Sequence, residues 1–417
     1  MTDLNKTKAL FIIPDAPFDN LNLGDIECGY VPLSGTHSSF FLVAHRLSFL
    51  DSLSIGLFIL SGKEIKSDSI TSFNSLEDAI RWKGTGKLIL CTSDDESALE
   101  RVSAFDTDFF LWLHVHLNHR LIEQLERFVF QKLICVSDTV RLTGLHSFRS
   151  NELIRIYNPL SPHFIASHKN TVSSRERKSI VFSGFIGENK GIQHLLLLWP
   201  KIKEYNKEFK LYVAGSGKLY DTNAKLGEFG VASAKFETLY LVPLIEKFGS
   251  FDNADIYFLG SLKPHDLRAL YQKCAIGVVN LNQWESTETF CCTGVEMVAS
   301  GLQVLCLKRG ALQETLGVFS LVNLICVNDL VNLPEILESM SNQEVSEATR
   351  ARDLHLIKKR YALNTICEEW RRLLRGDEVF ALQEWNSSKG KRYYTERLFG
   401  LLKLSRLYRS VIRLLKH

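Results

Sequence analysis

Short β-type runs alternate with helical patterns twice along this chain, and that alternation restricts the fold more than any other feature. The first series runs through "KALFIIP", the helical "SSFFLVAHRLSFL", "LSIGLFIL", "KLILCTS", "DFFLWLHV", "KLICVSD" and "LIRIYNP". Parallel strands need crossover connections of a dozen or more residues, usually helical, so the pattern predicts a parallel sheet with helices on both faces. After "NPLSPHF" the segment 166–178, "ASHKNTVSSRERK", carries no apolar period and reads as a linker. The alternation then restarts with the strand runs "SIVFSG", "FKLYVAGSG", "ADIYFLG", "AIGVVNL", "LQVLCLK" and "VNLICVN", with helical patterns such as "KGIQHLLLLWPKIKEY" and "KPHDLRALYQKC" between most of them. The fold class is therefore α/β, with two doubly wound Rossmann-like domains in tandem facing a cleft. We place them at 1–170 and 171–375, followed by a crossover segment and tail at 376–417. A length of 417 residues supplies two cores of ordinary size.

Composition narrows the function classes. Hydrophobic residues make up 45% and charged residues 23%, the balance of a folded, water-soluble protein. The apolar run "ALFIIP" is too short for a signal sequence, and no run approaches a membrane span, so a cytoplasmic location is expected. Nine cysteines, an odd number without a C-x-x-C pair, read as reduced thiols; the adjacent Cys291 and Cys292 suit helix packing better than a redox pair.

The net charge of +3 conceals an asymmetry: residues 386–417 hold nine basic groups against Glu396 alone, a net of +8, which leaves −5 for the rest. At 100° per residue, Leu401, Leu404, Leu407, Tyr408, Val411, Ile412, Leu414 and Leu415 share one side of a helix, and Lys403, Arg406, Arg409, Arg413 and Lys416 the other. That pattern fits either an interfacial helix, giving residues 389–417 a membrane surface as partner and the protein a peripheral position, or a helix packed back on the protein. Nucleic acid is not an expected partner, because the remainder of the chain is acidic.

Ligands of open α/β sheets bind at the carboxyl ends of the strands, where helix N-termini hold anions. Lys190 and Gly191 follow the strand "SIVFSG" near a helix start, a place suited to a diphosphate, although a lone loop lysine is more often simply solvated. Gly215 and Gly217 in "YVAGSGKL" permit a tight strand-to-helix turn. In "ESTETFCCTGVEMVASG", Glu288 lies in the loop after "AIGVVNL" and Glu296 about two turns into the following apolar helix. A carboxylate at that depth can accept two hydrogen bonds from a ribose, and one in the loop can meet sugar hydroxyls.

Glu288-x7-Glu296 with "MVASGLQVL" resembles the E-x7-E signature of family 4 (group 1) glycosyltransferases. These are retaining enzymes of the GT-B fold that use nucleotide-diphosphate sugars. The likeness extends in order through "SGFIGENKG", "VAGSGKL", "FLGSLKPHDLRALY" and "RGALQE". It implies that Glu288 faces the donor sugar, Glu296 binds the ribose and Lys190 meets the diphosphate, with Gly191, Gly215, Leu262 and Phe290 also around the donor. More loosely, "PLSGTHSSFFLVAHRLSF" resembles the family's glycine-rich loop, placing Gly35 and Thr36 near the diphosphate. "LWLHVHLN" resembles the strand end that presents a catalytic histidine, His114 in preference to His116. The family's second diphosphate cation, an arginine five residues before the lysine, is here Phe185, which leaves Lys190 and helix N-termini to neutralise the donor.

The resemblance implies transfer of a sugar from a nucleotide-sugar donor to a hydroxyl acceptor, a glycan or lipid-linked glycan, in cell-surface polysaccharide or glycolipid assembly. His114, Glu288 and Lys190 would form the catalytic group. Neither a metal nor a cofactor beyond the donor is implied. A GT-B sugar-nucleotide epimerase, or a silent binding subunit, would share the nucleotide site.

Overall fold

The computed structural model describes residues 6–92, 95–145, 147–149, 152–165, 175–219, 223–283 and 288–377. The basic tail, most of the linker and Trp284–Thr287 lie outside the described residues.

The first domain is a seven-stranded parallel sheet of β1 (Thr7–Ile13), β2 (Leu53–Ile59), β3 (Thr71–Ser72), β4 (Lys87–Thr92), β5 (Phe110–Leu113), β6 (Lys132–Cys135) and β7 (Leu153–Arg155), in the order β3-β2-β1-β4-β5-β6-β7. The second is a six-stranded parallel sheet of β8 (Glu176–Ser183), β9 (Lys210–Ala214), β10 (Ile256–Gly260), β11 (Cys274–Val278), β12 (Gln303–Leu307) and β13 (Val322–Ile325), ordered β10-β9-β8-β11-β12-β13. In each sheet the strand order reverses beside the first strand, which opens a crevice at the carboxyl edge.

Eight helices position the site: α1 (Gly35–Ser48), α2 (Asp138–Gly144), α3 (Ile192–Tyr205), α4 (Pro264–Lys273), α5 (Cys292–Ala299), α6 (Gly310–Leu316), α7 (Glu347–Tyr361) and α8 (Leu363–Arg375). The central strands are apolar on both faces, as helix cover on both sides requires; Ala9 to Ile12 and Leu88 to Cys91 are all buried. The chain crosses back through α8, whose Trp370 sits in the first domain's core, 4.6 Å from Trp112 and 5.8 Å from Phe11 by ring centroids. Ala362 bridges Leu160 at the crossing, and Leu160 N–H donates to Tyr361 O at 2.7 Å.

The linker expectation needs one correction, because Glu176, Arg177 and Lys178 belong to β8. Their polarity hid the strand. Lys178 Nζ donates to Glu338, Ser341 and Asn342 at 2.5, 2.8 and 3.2 Å, and Glu176 accepts from Tyr212 at 3.0 Å, so long-range partners satisfy groups that locally read as solvated. The long connection before β10 is likewise built around one buried acid. Glu237 accepts the backbone N–H groups of Phe229, Val231 and Ala232 at 2.8–2.9 Å and opens a π-helical stretch, Glu237–Leu241, within a helical run from Ala234 to Phe248.

Candidate active site

Gly191 fixes the loop that carries Lys190. It has φ +71°, and a Cβ there would overlap the Leu281–Asn282 backbone, so only glycine lets the loops after β8 and β11 touch. Leu281 N–H donates to Lys190 O at 3.2 Å and Asn282 Nδ2 to Asn189 O at 3.3 Å, which closes the seam. Gly215 serves the same purpose on the neighbouring strand: with φ +151°, it abuts the Gly184 carbonyl. The ring of Phe185 lies over Gly187 in the Lys190 loop.

The loop after β11 brings the acids into this frame. Glu288 is buried; its Oε1 accepts from Lys190 Nζ at 2.6 Å and from Asn280 Nδ2 at 3.0 Å. Asn280 was not legible as a site residue. Its signal is conformational, φ +29° at a strand end, a region that asparagine tolerates better than most residues and that is common at functional sites.

Glu296 differs sharply from Glu288. It stands on α5, half-buried, and its carboxylate makes no hydrogen bond or ion pair among the described residues. Loss of solvent without compensation pushes its carboxyl up to about 7. An unpartnered acid held this way is costly to the free protein and ready to accept hydrogen bonds from a ligand.

The first domain closes over the loop after β11. Thr289 Oγ1 donates to the His114 carbonyl at 2.8 Å, and His116 Nε2 bonds the Glu288 carbonyl at 3.1 Å, so that nitrogen carries the proton. The buried His114 ring keeps Nε2 without a hydrogen-bond partner, and burial, with His37 nearby, pushes its pKa down to about 3. His114 is therefore neutral at physiological pH, a hydrogen-bonding group instead of an acid. His37 donates from Nε2 to Asp15 O at 3.3 Å and accepts the Ser34 hydroxyl at 2.7 Å, tying the loop after β1 to the start of α1.

Gly35 and the half-buried Thr36 begin α1. A Cβ on Gly35 would lie 3.1 Å from Cys292 Sγ at the start of α5, so the two domains approach closely here. Asn158, also buried, donates to Cys292 Sγ at 3.8 Å and leaves its Oδ1 unbonded. Phe290 packs on Tyr157 and Tyr361 at 5.9 and 5.2 Å. Leu262 is half-buried between β10 and α4, at the far edge of the second sheet.

The structure thus joins Lys190, Gly191 and Glu288 in one cluster, with Gly35, His114 and Phe290 at its domain seam. The triplet Asp106-Thr107-Asp108 has a spacing with which two carboxylates can hold a cation, but it precedes β5, at the opposite edge of the sheet, and Asp108 accepts from Gln131 at 2.7 Å. A recess lined by Glu96, Arg120, Gln124 and Arg127 contains none of the cluster residues. All nine cysteines are free thiols, and burial raises that of Cys292 to about 12.

Two Rossmann-like domains, each a parallel sheet covered by helices, form the architecture of the GT-B class. Residues 164–329 match the family model described as glycosyl transferases group 1. An uncharacterised glycosyltransferase of Haemophilus influenzae is 22% identical over 276 residues, spanning 63% of this chain and 69% of its own. Among solved structures, a Rickettsia africae glycosyltransferase superposes with a TM-score of 0.63 at 14% identity, covering 89% of this chain and 98% of its own. Anabaena HepE in complex with UDP gives 0.58 at 16% identity, covering 88% and 100%. The protein is a glycosyltransferase; the comparisons support neither the epimerase nor the silent-subunit reading.

Proposed function

We propose that the chain is a retaining transferase whose donor lies across the second domain's cleft edge. Glu296 accepts the ribose hydroxyls, Lys190 and the N-terminus of α5 hold the diphosphate, and Glu288 with His114 faces the sugar. Gly35 and Thr36 approach the diphosphate from the first domain, with Gly191, Gly215, Leu262 and Phe290 lining the remainder. The observation that carries this reading is the Glu296 carboxylate in the second turn of α5, desolvated and without a partner among the described residues, on the helix that follows the Lys190–Glu288 pair.

Rate enhancement then rests on stabilising the leaving diphosphate and orienting the acceptor hydroxyl on the same sugar face. A neutral His114 aligns a sugar hydroxyl through its open Nε2. No cofactor beyond the donor takes part in this scheme.

A UDP-sugar is the first donor to test, since HepE is seen with UDP and with UDP-glucose and an Escherichia coli relative in fold with UDP-2-fluoro glucose. Calorimetric titration of UDP and UDP-glucose into wild type and Glu296→Gln decides the donor reading. A loss of about 1.5–3 kcal/mol is expected in the variant, the worth of a charge-assisted hydrogen bond, and equal affinity removes Glu296 from the site.

For the acceptor we propose a membrane-bound or lipid-linked glycan, approached from the cytoplasmic face by an interfacial helix within residues 389–417. The amphipathic spacing of leucines and basic residues supports this. Among the described residues no helix is long and apolar enough to cross a membrane. Co-sedimentation with anionic vesicles should be salt-sensitive for the full chain and lost when it ends at Glu384. Equal sedimentation of both sinks the proposal.

A further inference from the structure

α6 contacts both the loop that leads to Glu288 and the first domain, yet neither of the charged groups at its ends has a place in the donor scheme. At its start, Arg309 donates from Nη1 to the carbonyl of Asn282 at 3.3 Å and to that of Gln283. Those carbonyls belong to the loop that is stitched to Lys190 and leads to Glu288. At its other end, Glu314 reaches into the first domain. Its two oxygens accept the N–H of Asp138, the N–H of Thr139 and the Thr139 hydroxyl, each at 2.7 Å.

The N–H groups of Asp138 and Thr139 open α2 and have no intrahelical acceptor. A carboxylate facing them is favoured by hydrogen bonding and by the helix dipole. A residue of the second domain therefore caps a helix of the first.

Between its ends α6 supports the donor helix and the crossover. Gly294 of α5 leaves room for Leu316, against which a Cβ would press at 2.6 Å. The Thr315 carbonyl accepts from Tyr361 Oη at 3.0 Å, and the Tyr361 ring stands edge-on to Phe290, two residues beyond Glu288. Displacing α2 relative to Glu314 must therefore load the same short helix that braces Glu296, Phe290 and the Lys190 loop.

We propose that α6 is a coupling strut, in which Glu314 is a positioning residue that holds the two domains in the orientation seen here and Arg309 passes that orientation to the Lys190–Glu288 cluster. The kinetic effect rests on the donor reading above; the latch between domains does not. The chemistry explains why glutamate is needed. A glutamine at 314 offers one acceptor oxygen, and its amide cannot accept an N–H, so Asp138 or Thr139 loses its partner.

The test uses full-length wild type, Glu314→Gln, Thr139→Val, Arg309→Ala and the Glu314→Gln/Arg309→Ala pair. Each is measured by small-angle X-ray scattering without ligand, by UDP calorimetry and by UDP release from UDP-glucose. Glu314→Gln should enlarge the radius of gyration and lower kcat/KM about tenfold while UDP affinity stays within about threefold, since UDP's proposed contacts lie mainly on the second domain. Thr139→Val, which loses one bond and no charge, should fall between this variant and wild type. Arg309→Ala should weaken UDP binding without enlarging the protein, and the double variant should be no worse than the poorer single within about threefold. Unchanged scattering for both latch variants, or additive losses in the double, overturns the strut. If wild type neither binds UDP nor releases it from UDP-glucose, the donor reading fails, and scattering alone decides the latch.

Discussion

The second domain's edge of the cleft carries a charged pair, Lys190 and Glu288 at 2.6 Å, and on the following helix Glu296, which has no partner among the described residues. The first domain's edge offers mainly rings and backbone. It presents the His114 and His116 backbone and ring, and a His37 ring whose pKa burial lowers. One edge sets a charged pair against a ligand, whereas the other mainly shapes the space around it. In the proposed donor scheme, that contrast gives donor affinity to the second domain and alignment of the sugar to the first.

Removing the cation should break the contrast most severely. Lys190→Ala leaves the Glu288 carboxylate buried with Asn280 as its remaining described donor. The expected cost is on the order of 3 kcal/mol of stability. A loss of more than tenfold in kcat/KM, above about 1.4 kcal/mol, should accompany it. Retention of full activity would place the diphosphate elsewhere.

Glu296→Gln should separate stability from affinity. The folded-state pKa of about 7 lies above the usual 4.5, so the contribution of this group to stability is complete below pH 4.5 and lost as pH rises through 7. Above pH 7 the glutamine variant should be more stable than wild type by up to about 3 kcal/mol while binding donor more weakly. Thermal melts from pH 5 to 8 test this, and parallel curves for the two proteins would contradict it.

The same group predicts a pH-dependent donor affinity. A carboxylate accepts two ribose hydroxyls better than a carboxylic acid does, so UDP binding should tighten by about tenfold between pH 6 and 8 in wild type and stay flat in Glu296→Gln. Calorimetry at both pH values gives the comparison directly.

Phe185→Arg sharpens the contrast from the other side. A second cation in the Lys190 loop should improve donor affinity by about 1 kcal/mol at low salt, with the gain shrinking as salt rises. The smallest effect belongs to the first domain's edge. His114 has its pKa lowered from 6.5 to about 3, so its contribution is present above pH 6.5 and lost as pH falls toward 3. His114→Gln should therefore move the acid-unfolding midpoint down by about half a pH unit. An unchanged midpoint would mean that the ring is not desolvated.

The difference between the edges also explains what was legible. Alternating apolar runs marked the central strands, because a strand buried on both faces must be apolar wherever it pairs. Glu288, Glu296 and Lys190 stood out because an isolated charge in an apolar or glycine-rich stretch needs a reason. Asn280 and His37 did not, and Glu314 was legible only as the end of the "RGALQE" likeness and not in its role, since their partners lie in loops or domains far along the chain.

By itself the sequence determined two parallel sheets, the loops at their carboxyl edges and the acids and lysine that those loops carry, all consequences of local periodicity and glycine placement. Tertiary structure alone decided which of two similar glutamates is paired and which is left desolvated. It also placed α8 in the first domain's core and brought the second domain's Glu314 to the first turn of α2. Burial and hydrogen-bond partnership depend on elements packed from distant regions of the chain, and those two quantities, more than residue type, set the charge and readiness of each group in the site.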